Sequence, residues 1–228
     1  KSMFVDIITG KHPLLGEGVK YNFGSDNARM VCDNIKYVAF EDTYGTDSDT
    51  KYYQMRWNCH EEDNTPFVYD VLESAFEISS AANSAINLVE YKDLLYDVFG
   101  ISKIYSLKLS MLSSGERRKL HLIRALLSNP KLLIIDNPFI GLDSQARILL
   151  VESLELLVNK IGLQIILVVS RDNDIPNFIT HVVKVEELRV GEKLIYSDYI
   201  NCSGKSKKLI LDETIKFCIA NLPQHDES

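Results

Sequence analysis

Two short runs carry the residues best suited to chemistry. "KLLIIDNPFIGLD" (131–143) ends a continuous apolar stretch on Asp136. An aspartate at the C-terminal edge of a buried parallel strand sits where open α/β sheets bind ligands, and it can hold Mg²⁺ through water. Asn137 comes next. An amide can orient a water by hydrogen bonding but cannot accept its proton at neutral pH. Upstream, "LSSGERRKLHLIRALLSNP" (112–130) places Ser113 and Glu116 at the S-x-x-E spacing of a capping box. Such a box opens an amphipathic helix, and a helix start preceded by Ser and Gly offers free N–H groups to an anion. Each signal has an ordinary alternative: capping boxes are common, and an aspartate ending a strand is more often a turn or cap residue.

The elements that must position these residues are legible. "KLLIID" and "LQIILVVS" (163–170) are short apolar runs, the second rich in β-branched residues, and both read as strands buried on two faces. Between them, Ile148, Val151, Leu154, Leu157 and Val158 recur at helical spacing before Gly162. That is a βαβ unit, so the fold is α/β with a mostly parallel sheet flanked by helices. "NIKYVAF" (34–40) is a further strand, followed by a polar, aromatic-dotted excursion whose length points to function or disorder. From Thr65 and Pro66, read as N-cap and first helical position, to Asn129 the pattern is mostly helical, with Gly100 as a stop. This is an inserted helical subdomain. Beyond about residue 190 come a strand-like piece (193–199), an amphipathic helix candidate (211–222) and a polar end.

Bulk composition bounds the function. The 228 residues are 46% hydrophobic and 25% charged, ordinary for a globular chain with one full core. A net charge of −7 argues against broad contact with nucleic acid or anionic lipid. Cys32, Cys59, Cys202 and Cys218 lie far apart without metal-site spacing, and read as free thiols of a reducing compartment. No apolar run reaches the roughly 18–20 residues of a membrane span, and a secretory signal pattern is missing, so the expectation is a cytoplasmic chain. Gly204, Lys205 and Ser206 mimic a phosphate-loop ending, but Tyr199 stands where a full motif needs glycine.

Taken in order and spacing, LSSGE, then about twenty residues, then LLIID-x-P-x-x-GLD resembles the signature motif, Walker B strand and D-loop of ATP-binding-cassette (ABC) ATPases. The similarity covers most of the chain, to about residue 190. It resembles one half of a tandem, molybdate-transport-associated or photorepair-type ABC protein. The resemblance implies a P-loop NTPase-like core at 1–64 and 130–190, a helical subdomain at 65–129 that ends in the signature helix, and a tail or linker at 191–228. The opening "KS" then looks like the end of a phosphate loop, G-x-x-x-x-G-K-S/T, whose glycines and first strands are missing, as if truncated within the motif. Lys1 would reach the β- and γ-phosphates and Ser2 would ligate Mg²⁺ beside Asp136. ATP and Mg²⁺ are the implied cofactors.

The same resemblance exposes departures. Asn137 stands where the family usually has a glutamate that polarises the attacking water, and Arg171 where it usually has a histidine that contacts the γ-phosphate. Arginine's fixed protonation and different reach make it a poor replacement. The glutamine that links nucleotide to helical subdomain has two placements: register after "YVAF" puts Phe40 near it, and Gln54 is the candidate after the excursion. ABC domains pair head to tail. By resemblance, Ser113, Ser114, Gly115 and Glu116 would complete a partner cassette's nucleotide site, with Asp143 in the D-loop, while this chain's own site would be weak or inactive. The partner is a second cassette in the same polypeptide or a homodimer, with a membrane transport subunit as a further candidate and no nucleic acid expected. A competing reading is a non-hydrolysing, ATP-dependent dimerisation or signalling module. A coiled-coil DNA-repair ATPase has little support, because no sustained heptads intervene before the signature.

Overall fold

The computed structural model describes residues 2–12, 19–23, 30–40, 65–82, 88–186, 189–203 and 215–220. Contacts divide the chain into two units: Lys1–Phe40 with Pro130–Phe139 and Leu154–Ser228, and Glu41–Asn129 with Ile140–Ser153.

The first unit is built on a six-stranded mixed sheet. Its strands are β1 (Ile35–Ala39), β2 (Leu132–Asp136), β3 (Gln164–Val169), β4 (His181–Glu186), β5 (Arg189–Ile195) and β6 (Ile215–Ala220), in the order β1-β2-β3-β6-β4-β5. β1, β2 and β3 are parallel neighbours, with Ala39 opposite Asp136 and Asp136 opposite Val168. β6 runs antiparallel to both β3 and β4, and β4 and β5 pair antiparallel. β2 explains why this sequence is a strand: Leu133, Ile134 and Ile135 have no exposed surface, so both faces are covered and apolar residues need not alternate. On one face, Val5 of helix α1 (Ser2–Ile8) packs with Ile35, Ile134 and Val168, and Phe4, Ile8, Tyr21, Phe23 and Tyr37 extend that cluster. A single helical turn, α2 (Val31–Asn34), leads directly into β1. Helix α6 (Ser144–Ile161), whose C-terminal turns belong to this unit, buries Leu154 and Leu157 and ends at Gly162, which holds φ 65°.

The C-terminal region departs from its sequence pattern. Ile215–Ala220 is a strand, where spacing over 211–222 suggested a helix. Its backbone pairs along both sides, with Cys218 opposite Leu167 and Val182, and two flanking strands outweigh a weak helical periodicity. The strand-like piece is likewise shifted: β5 stops at Ile195, where the Tyr196 N–H donates to Thr180 O at 2.9 Å, and helix α7 (Tyr196–Ser203) follows.

The second unit is helical. It contains α3 (Val68–Ala82), α4 (Leu88–Phe99) and α5 (Ser114–Leu127), with α3 and α4 both packed on α5. α3 begins at Val68, two residues beyond the Pro66 start suggested by sequence. Phe67 forms a β-bridge with Lys108, the Leu109 N–H donates to Pro66 O, and Asp70 Oδ2 accepts from the Phe67 N–H at 3.1 Å, so residues 65–67 are extended. α4 ends where Gly100 takes φ 63°, a left-handed stop that glycine adopts without steric cost. α5 buries Leu120, Leu122, Ile123, Leu126 and Leu127 along one stripe. Its last carbonyls are satisfied by side chains: Ser79 Oγ donates to Leu127 O at 2.6 Å and the Tyr91 hydroxyl to Leu126 O at 3.0 Å. Burial pushes the Tyr91 phenol well above its usual range. Asn129 then holds φ 49° and Pro130 follows, which terminates the helix.

Candidate functional site

In the sheet unit, Asp136 and Asn137 lie at the C-terminal edge of β2 and Arg171 follows the C-terminal edge of β3. Asp136 is the last residue of β2 and is buried, with 5% of its surface exposed. Its Oδ2 accepts a hydrogen bond from the Tyr37 hydroxyl at 3.0 Å. Tyr37 lies on β1 opposite Ile134 and shares that cluster's face of the sheet. Its ring also carries the Lys11 ammonium 5.6 Å from the centroid, within cation–π range.

Asn137 turns the chain away from the sheet. Its N–H donates to Val168 O at 3.0 Å and its φ is 51°. Asparagine tolerates that left-handed conformation better than most residues. Arg171 is exposed two residues past β3, and its carbonyl accepts from the Asp174 N–H at 3.1 Å. The neighbouring Asp172 accepts a hydrogen bond from the hydroxyl of the buried Tyr199 of α7, so the loop that carries Arg171 is tied to that helix. Ser2 opens α1 in the same unit, whereas Lys1 and Gln54 lie outside the described residues.

The helical unit holds the second group. Ser113 caps α5: its Oγ accepts from the Glu116 N–H at 3.3 Å, and Glu116 Oε2 accepts from the Ser113 N–H at 2.8 Å and from its hydroxyl at 2.7 Å. The capping box read from sequence is therefore formed. It leaves Ser113 and Ser114 exposed at the first turn. A Cβ added to Gly115 would meet no atom within 4 Å. Nothing inside the described chain requires a glycine there. Asp143, reached through Gly141 at φ 63°, is held by the fold itself, since its Oδ1 accepts from the Ala146 N–H at 2.7 Å as N-cap of α6.

Sequence reasoning missed Tyr37. The only signal was a tyrosine in a mostly apolar strand, and its meaning depends on a register between β1 and β2 that sequence does not display. The donor set suits a small, hard dication. A carboxylate offers about four lone-pair sites, and it can accept from a hydroxyl while it binds a metal or its waters. Mg²⁺ typically takes one or two carboxylates and completes its shell with phosphates and waters. Among the described residues no group of three or more His, Cys, Asp or Glu could hold a metal.

Comparison with known proteins gives the class. A family model described as ABC transporter matches residues 1–140, and the chain belongs to this ATP-binding-cassette family. It is similar to the ABC transporter ATP-binding protein ModF of Escherichia coli, 43% identical over 81 residues that cover 36% of this chain and 16% of that protein. An uncharacterized ABC transporter ATP-binding protein of Saccharomyces cerevisiae is 25% identical over 197 residues, 82% of this chain and 36% of that protein. The chain thus spans well under half the length of either relative. Its fold is shared with an ABC transporter solved in an inward-facing conformation, at TM-score 0.58 and 15% identity, over 98% of this chain and 82% of that one. The α/β, P-loop NTPase-like class expected from sequence is the fold observed, with a mixed sheet in place of the mostly parallel one expected, because β6, β4 and β5 join antiparallel beside β3. No helix among the described residues is long and apolar enough to cross a membrane.

Proposed function

We propose that this cassette binds ATP·Mg²⁺ at a head-to-tail interface and supports ATP hydrolysis in a transport-related ATPase. It gives its signature segment to a partner cassette, while its own site is hydrolytically weak. Residues 1–64 and 130–190 serve as the nucleotide-binding core and 65–129 as the helical subdomain. In the core, Lys1 contacts the β- and γ-phosphates, Ser2 and Asp136 hold Mg²⁺, and Gln54 links nucleotide to the helical subdomain. Ser113, Ser114, Gly115 and Glu116, with Asp143 nearby in sequence, face the partner's nucleotide. Bound Mg²⁺ would supply charge neutralisation at the phosphates. Asp136 anchors it, and Asn137 can align a water without taking its proton. The placement that follows is cytoplasmic, at the inner face of a membrane if a transport subunit is the further partner.

The observation that carries this reading is Gly115. The start of α5 is capped and exposed, and glycine lowers helix propensity by up to about 1 kcal/mol relative to alanine. No atom of the described chain needs the space. A close approach from outside, by a phosphate and the backbone around it, gives the glycine a reason.

Asn137 and Arg171 together support a second reading, in which ATP joins two cassettes without turnover. The experiment compares ATP hydrolysis by the full-length protein with that of Asn137→Glu/Arg171→His and of Ser114→Arg. Turnover in the native protein that Ser114→Arg abolishes supports the asymmetric pair. ATP binding with no turnover, and hydrolysis only in the Asn137→Glu/Arg171→His variant, replaces it with the dimerisation module.

A further inference from the structure

We propose that Tyr37 is a positioning residue for the metal-binding carboxylate: its hydroxyl fixes the orientation in which Asp136 meets Mg²⁺. The inference rests on the reading of Asp136 as the magnesium carboxylate and adds a residue to it. Three observations carry it. The Tyr37 hydroxyl donates to Asp136 Oδ2 at 3.0 Å, a bond between adjacent parallel strands whose register sets Tyr37 opposite Ile134 and Ala39 opposite Asp136. The phenol therefore reaches forward along β1 by two residues to the edge where β2 ends. Second, Asp136 is 5% exposed, so little bulk water competes for the oxygen that Tyr37 holds. Third, the ammonium of Lys11, in the turn after α1, lies 5.6 Å from the centroid of the Tyr37 ring, within cation–π range, and gives the ring a second contact beside the bond to Asp136.

The chemistry follows from this arrangement. A carboxylate that binds Mg²⁺ through water must present one oxygen along a defined direction, and rotation about its terminal torsion is soft. A donor fixed on Oδ2 selects one of these rotations and directs Oδ1 at the remaining ligand. Outer-shell partners of this kind typically contribute 10- to 100-fold to metal affinity or activity.

The test is the gain in ATP affinity that Mg²⁺ gives the full-length protein, measured as the ratio of dissociation constants in EDTA and in excess Mg²⁺. Tyr37→Phe removes one oxygen atom. It is expected to cut the Mg²⁺-dependent gain about tenfold while affinity in EDTA stays at the native value. Asp136→Asn is expected to abolish the gain, and Tyr37→Phe placed on top of it to add nothing. If Asp136→Asn loses the gain while Tyr37→Phe keeps it and only lowers the melting temperature, Tyr37 is structural and the inference falls alone. If Asp136→Asn keeps the gain, the magnesium role of Asp136 falls and takes this inference with it. Should Tyr37→Phe fail to fold, 3-fluorotyrosine placed at position 37 retains shape with a stronger donor. A Mg²⁺-dependent gain that shifts in either direction while affinity in EDTA is unchanged then supports the positioning role, and an unchanged gain overturns it.

Discussion

Replacing Asn137 separates the backbone reason for that residue from the chemical one. Its φ of 51° lies in the left-handed region, and its N–H is held by Val168 O at 3.0 Å, so the turn cannot relax to negative φ without giving up a bond to β3. Residues other than Gly, Asn and Asp lose about 1–2 kcal/mol in this conformation, whereas Asn recovers part of that locally. Asn137→Ala and Asn137→Glu should therefore each destabilise the protein by about 1 kcal/mol, with Asn137→Gly close to the native protein. In a chain of this size that is a fall in melting temperature of about 2–4 °C. Thermal and urea unfolding of the four proteins, without nucleotide, reads it directly. An alanine variant as stable as the native protein, or a glycine variant as weak as alanine, would refute the argument from φ. The result also calibrates the functional experiment. A glutamate that restores proton acceptance at position 137 carries this backbone cost, so hydrolysis by the variant has to be expressed per folded molecule.

Three further outcomes test the packing and electrostatics. Ile134→Ala empties a fully buried position between β1 and β3 and should cost about 2–5 kcal/mol, seen as a lower urea midpoint with an unchanged slope. Ser113→Ala removes the hydroxyl that accepts from the Glu116 N–H and should cost about 0.5–2 kcal/mol, measured by thermal unfolding. Glu73 is pushed up by burial, but hydrogen bonds from Lys92 and Tyr105 and the Lys92 charge outweigh this and hold its carboxyl below the usual value. A depressed pKa in the folded state gives stability that is present above the unfolded value near 4.3 and is lost as pH falls through the folded value. Glu73→Gln should therefore flatten the loss of stability below about pH 4.3 in acid titrations followed by circular dichroism. An unchanged acid limb would show that the Glu73–Lys92 pair does not contribute.

What could be read from the sequence was set by local rules, and what could not was set by register and by remote segments. Asp136 ending a strand, the Ser113–Glu116 box and the stops at Gly100 and Gly162 each follow from residues within a few positions, and the fold forms them. Thr65 and Pro66 mimic a helix start, yet Leu109, 43 positions beyond Pro66, donates to its carbonyl and holds the segment extended. Ile215–Ala220 falls in a stretch, 211–222, that reads as an amphipathic helix on its own. It becomes a strand because β3 and β4 offer it partners on both sides. Tyr37 and Asp136 are 99 positions apart, and their hydrogen bond exists only because β1 and β2 align in one register.

Two positions illustrate how a local rule that looks broken can be sorted into fold or function. Asn137 breaks the rule that side-chain-bearing residues avoid positive φ, and its break is explained inside the chain by the tight exit from β2. Gly115 places a glycine in the first turn of a helix where no atom of the described chain within 4 Å of its Cβ position calls for one. Compensated violations belong to the fold, whereas uncompensated ones point to something the chain binds. Asn137 therefore cannot by itself prove a loss of catalysis, because the turn favours asparagine for its own reasons. Arg171 has no such backbone excuse: it is exposed, sits at negative φ and is under no packing demand that would select against histidine. The proposal of a weak own site therefore rests more on Arg171 than on Asn137, and the single substitution Arg171→His is the more informative half of the double variant.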